Sequence, residues 1–92
     1  MAHYEDRDGE IVYVPIDEIS GEKKMADGSM RFKFLGGPYH DMIFRVYPPY
    51  DMIRWPDGTT YQIHPPLNMK KSKKWVYTHV PQWEEQTDGT VN

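Results

Sequence analysis

The sequence contains no cysteine in its 92 residues. That absence removes disulfide staples, cysteine-ligated zinc, thiol nucleophiles and redox switches together, and it is compatible with a reducing cytoplasm. Leucine and alanine are scarce, with two of each. These are strong helix formers, so the expectation moves away from a helical bundle and towards strands. No apolar run approaches the roughly 18 residues needed to cross a bilayer as a helix, and the first twenty residues are acidic rather than basic and then apolar. A soluble chain without a targeting segment is therefore expected. Serine occurs only as Ser20, Ser29 and Ser72, none in a nucleophile-elbow context. The carboxylate pairs Asp6/Asp8 and Glu84/Glu85 lie in polar ends where nothing promises the burial that raises a pKa. No enzyme is expected from this inventory.

What is present argues against disorder. Aromatics make up 14% of the chain, there are six methionines, and the net charge is only −3. Tyr, Trp, Phe, Met and β-branched residues must then build the core of one small domain over residues 1–92. The charge is unevenly placed. Residues 1–22 carry −6, residues 23–80 carry +6 and residues 81–92 carry −3. Either the acidic ends neutralise the basic middle, or the middle presents a basic face to an acidic partner.

Asp-Gly recurs at Asp8-Gly9, Asp27-Gly28, Asp57-Gly58 and Asp88-Gly89, and this pair favours the positive φ of hairpin turns. Between the turns the apolar period is two. Met30, Phe32 and Phe34 alternate with Arg31 and Lys33, and Met42, Phe44 and Val46 alternate with Ile43, Arg45 and Tyr47. The runs at 11–14 and 75–80 are apolar on both faces, which suits central or interface strands. At Asp57, a two-residue loop would set Trp55 opposite Thr60 and mix apolar with polar residues. A three-residue loop, Pro56-Asp57-Gly58, pairs Ile53 with Tyr61 and Arg54 with Thr60 and sorts the faces, so a bulged hairpin is expected. Eight prolines close strands, Asp17-Glu18-Ile19 has the makings of one helical turn, and the ordered core is expected over about 10–80 with polar tails at both ends. The fold class that follows is all-β: a small twisted antiparallel sheet of about five to six short strands, curled into a partly open barrel or sandwich.

The stretch Phe34-Leu35-Gly36-Gly37-Pro38-Tyr39-His40-Asp41, followed by an apolar strand, Pro48, Ile53-Arg54-Trp55 and Trp75-Val76-Tyr77, resembles a group of very small proteins encoded by actinobacterial phages and prophages. The resemblance covers residues 32–80 and rests mainly on the glycine turn. The chain departs from the pattern at His40, which intervenes before Asp41, and at Met42, where the group has glycine. Members mostly lack an assigned activity. The resemblance implies an all-β fold and a phage or prophage origin, and with it a place in the host cytoplasm or in a virion.

Candidate sites follow from residue chemistry. Gly36-Gly37-Pro38 lacks the spacing, the Lys-Ser/Thr ending and the helix of a phosphate loop, and reads as turn glycine. His3, His40, His64 and His79 show no ligand spacing. No metal or cofactor is expected, and a site assembled across strands from His40, His64 or His79 with Asp41 is the arrangement to check. Lys70, Lys71, Lys73 and Lys74, running into Trp75, would attract phosphates, with Arg31, Lys33, Arg45 and Arg54 extending a basic sheet face. Tyr39, Tyr47, Tyr50, Trp75 and Trp83 have the chemistry of protein-interface hot spots. The leading expectation is a non-enzymatic protein-binding module of phage origin whose partner is a host or virion protein. The alternatives are a virion structural component, such as a capsid decoration or connector, and a nucleic-acid-binding protein. A homo-oligomer or larger assembly would supplement the thin stability of so small a domain.

Overall fold

Strict alternation of apolar and basic residues makes 30–34 a strand with two chemically different faces, and the remaining strands organise around it. The computed structural model describes residues 1–81. It contains β1 (Ala2–Glu5), β2 (Ile11–Val14), β3 (Lys23–Lys24), β4 (Met30–Leu35), β5 (Ile43–Val46), β6 (Ile53–Arg54), β7 (Thr60–His64) and β8 (Val76–Val80). Single 3-10 turns occur at Ile16–Glu18 and Gly37–Tyr39. β4 buries Met30, Phe32 and Phe34 and turns Arg31 outward.

β5, β4, β8, β7 and β6 lie side by side in a curled, open half-barrel, with the two-residue β3 continuing the line of β8 along β4. β1 and β2 form a second small sheet. The all-β fold is as expected, with one difference in the ladder. β4 and β8 run parallel, Phe34 facing Tyr77, while every other pair is antiparallel. β8 is central, as its two apolar faces required. β2 is not: Ile11 and Tyr13 are exposed in the two-stranded sheet.

The concave face is filled by rings rather than by aliphatic side chains. Phe34 is fully buried, stacks on Tyr77 at a centroid distance of 4.8 Å, and meets Phe44, Trp55 and Tyr61. Phe32 takes Tyr77 and Tyr50 edge-on. Such pairs add about 0.5–1.5 kcal/mol each beyond the area they bury. Burial raises the Tyr77 phenol pKa, with the Asp51 charge adding to the effect, and its hydroxyl donates to the Asp51 carbonyl at 3.0 Å.

Residues 2–5 correct the expected N-terminal tail, because they form β1, and Ala2 is fully buried. A side chain makes the attachment. Gln62 on β7 accepts from the Glu5 N–H at 3.0 Å and donates to the Glu5 carbonyl at 2.8 Å, so its amide acts as a piece of neighbouring strand. β1 thereby covers the outward side of β7, where Tyr4 also meets His64 and Trp75.

The Asp57 hairpin has the bulged register, with Ile53 opposite Tyr61 and Arg54 opposite Thr60. Its two turn bonds, Gly58 N–H to Trp55 and Trp55 N–H to the Thr59 carbonyl, recur in the same pattern at Asp6–Glu10 and Met25–Ser29. The glycine has positive φ in all three, which is the conformation the bulge needs. The fourth Asp-Gly, at 88–89, lies outside the described residues.

Candidate functional site

The rings expected to form an interface are mostly core. Tyr50 is 2% exposed, because the chain after Pro48-Pro49 turns it inward onto Phe32 with φ 64. Tyr39 is half-buried and stacks on Trp55 at 4.4 Å, and the Tyr61 hydroxyl accepts a hydrogen bond from its N–H. Trp75 is half-buried against Tyr4, and its N–H donates to the Ser20 carbonyl. Tyr47, at 55% exposure, does face solvent. Trp83 lies outside the described residues.

The basic residues divide. Lys70, Lys71 and Lys73 are exposed on the loop between β7 and β8, and Lys74 reaches Glu22 at 3.3 Å. Arg54 sits on β6, four strand positions from Arg45 on β5. Along the sheet, β1 packs over the outward side of β7, between β6 and β4, so the expected single basic face is interrupted there. Lys33 pairs with Asp41 at 3.7 Å.

Arg45 stands in a small network. Its guanidinium donates to the Tyr47 hydroxyl at 3.3 Å and lies 3.6 Å from the Asp27 carboxylate, to which that hydroxyl donates at 3.0 Å. Hydrogen bonds from the Ser29 hydroxyl and N–H are the main reason the Asp27 carboxyl falls from 3.8 to about 2, and Tyr47 and Arg45 add to them. Asp27 is therefore fully ionised at neutral pH.

The histidines do not converge. His40 accepts from the Gly36 N–H in its own turn, His64 contacts Tyr4 and the Pro65 carbonyl, and His79 packs on Tyr61. Among the described residues no group of three His, Asp or Glu side chains is placed to hold a metal ion. The glycine turn is structural. A Cβ on Gly37, at φ +66, would lie 2.6 Å from the His79 ring and 2.8 Å from the Tyr61 hydroxyl. Asp41 takes the left-handed φ of 70 just before Met42.

The feature missed from sequence is the bare edge of β5. Among the described residues β5 pairs with β4 alone, and no backbone hydrogen bond joins it to β6 across the open side of the half-barrel. The seam between them is floored by the rings of Phe44, Trp55 and Tyr39. The Phe34 N–H donates to the Met42 carbonyl at 2.7 Å. By the alternation of an antiparallel ladder, Phe44 and Val46 bond to β4 while Ile43 and Arg45 turn their N–H and C=O to the open edge. Ile43 is 48% exposed beside them. A signal existed: the positions that should be polar on this strand read Ile43, Arg45 and Tyr47, and two of the three are large and apolar.

No family model matches the chain, and neither the curated proteins nor the solved structures contain a match. Among the described residues no helix is long and apolar enough to cross a membrane.

Proposed function

We propose that the chain is a small non-enzymatic protein-binding module that takes an extended segment of its partner as an added strand on β5. The observation that carries this reading is the unpaired edge itself, with the outward N–H and C=O of Ile43 and Arg45 flanked by exposed Ile43 and Tyr47. Main-chain pairing supplies affinity in such complexes and alternate side chains supply specificity. Natural proteins blunt or cover edges that are not used, and one arginine is little protection. A host or virion partner, and a phage or prophage origin, belong to this reading through the 32–80 resemblance.

Arg45→Pro tests it directly. The substitution removes an N–H that points to the open edge and leaves the β4 ladder intact, as edge proline does. Affinity capture from host lysate should recover a partner with wild type, recover it more weakly with Arg45→Gln, which keeps the backbone N–H, and lose it with Arg45→Pro. Equal recovery by a folded Arg45→Pro protein would sink the proposal.

The exposed Lys70, Lys71 and Lys73 favour nucleic-acid contact as a second reading. Fluorescence anisotropy with labelled DNA and RNA at two salt concentrations tests it. Binding with a steep salt slope, lost when Lys70, Lys71, Lys73 and Lys74 become Ala, would favour it, and no binding at low salt would remove it.

A further inference from the structure

The cations beside the open edge specify what an added strand should carry, an inference that rests on the reading of β5 as a docking edge. Lys23 faces Arg31 across β3 and β4, and Arg31 faces Arg45 across β4 and β5, so three cations stand in one row on the outward face. Arg31 and Arg45 form a non-hydrogen-bonded pair, in which facing Cα atoms are only about 4.5 Å apart. Like charges directly opposite destabilise a sheet, so stability alone does not account for three in succession. Asp27 offsets Arg45. Among the described residues no carboxylate lies within ion-pair distance of Lys23 or Arg31.

The row ends at the open edge. The next place in it, opposite Arg45 on an added strand, is where a carboxylate would face cations without a cost elsewhere. Two residues away on the same face, exposed Ile43 favours an aliphatic neighbour. The inner face of the added strand would lie over the Phe44 and Trp55 rings. We propose that the partner segment is acidic, an extended strand presenting Asp or Glu opposite Arg45 and an aliphatic residue opposite Ile43. The five donors of the Arg45 guanidinium allow it to hold Asp27 and a second carboxylate together. A second copy of this chain fits poorly, because it would add more arginines to a face already short of negative charge.

Three labelled peptides of equal length test this by fluorescence anisotropy. Each alternates valine on one face with Ile and then a variable residue on the other, the variable residue being Glu, Gln or Lys. The Glu peptide should bind about fivefold more tightly than the Gln peptide, with the Lys peptide weakest. The preference should shrink with added salt and vanish when Arg31 and Arg45 are both changed to Gln. Equal binding of the Glu and Gln peptides, abolished by Arg45→Pro, overturns the acidic partner and leaves the edge reading standing. No binding by any peptide overturns the edge reading itself. Displacement of the Glu peptide by single-stranded DNA, with a steeper salt slope, assigns the row to phosphates and overturns the acidic-segment proposal.

Discussion

β8 and β5 are strands of nearly equal length, and they do opposite work. β8 is paired along both edges, by β4 and β7, and Tyr77 stacks within the ring core. β5 is paired along one edge and leaves Ile43 exposed and Arg45 facing another arginine. In a chain this short, stability is concentrated where a strand is enclosed, and chemistry that stability does not need collects where it is not.

The comparison breaks most visibly at the centre. Phe34→Ala, beside β8, should cost about 3–5 kcal/mol, a large share of the roughly 5–15 kcal/mol that folded domains possess. Ile43→Thr on β5 should stay within about 0.5 kcal/mol. Chemical denaturation of both variants measures the contrast directly. Gly37→Ala comes next, because it forces a side chain into positive φ, at about 1–2 kcal/mol, and sets a Cβ against the His79 ring and the Tyr61 hydroxyl. A midpoint equal to wild type would show that the turn is not held by Tyr61.

Arg31→Glu probes the other side of the comparison and should raise stability. It converts two like-charge facings into opposite ones, a gain of about 0.5 kcal/mol after allowing for exposure, largest at low salt. If the midpoint falls instead, the cationic row is structural, and the contrast with β8 loses its meaning. The smallest effect concerns pH. The Asp27 carboxyl is lowered from 3.8 to about 2 in the fold, so its contribution is present above pH 3.8 and is lost as pH falls towards 2. Asp27→Asn should therefore lower stability slightly above pH 3.8, match wild type near pH 2 and flatten the profile between, as thermal melts from pH 2 to 7 would reveal.

Local chemistry was readable in the sequence. The alternation from Met30 to Phe34 and the bulged Asp57 register depend on neighbouring residues and appear as expected, and the helical turn expected at Asp17-Glu18-Ile19 forms one residue earlier, at Ile16–Glu18. Composition alone gives Tyr50 the chemistry of an interface ring, whereas its burial depends on the direction taken after two prolines, which no period reports. β1 was read as a tail because Ala-His-Tyr-Glu has little apolar content, and what fixes it is Gln62, 57 residues away from Glu5. The cations at Lys33, Arg45 and Lys74 were visible one by one. Their carboxylates, Asp41, Asp27 and Glu22, come from separate loops that the fold brings in. The bare edge of β5 was legible only in part: Ile43 and Tyr47 stand where polar residues should, but an unpaired strand is defined by what does not lie beside it.

The place of β8 in the ladder has a consequence for synthesis. The strand that joins the two halves of the sheet is made after the other strands of the described residues: β3, β4 and β5 precede it on one side, β6 and β7 on the other. Chains emerge from the ribosome at about 5–20 residues per second. A nascent chain halted before residue 76 would therefore hold two separate ribbons, with the inner edges of β4 and β7 open at once. For that interval the future interior is the stickiest surface the polypeptide has, and release of Val76–Val80 turns it into the most enclosed.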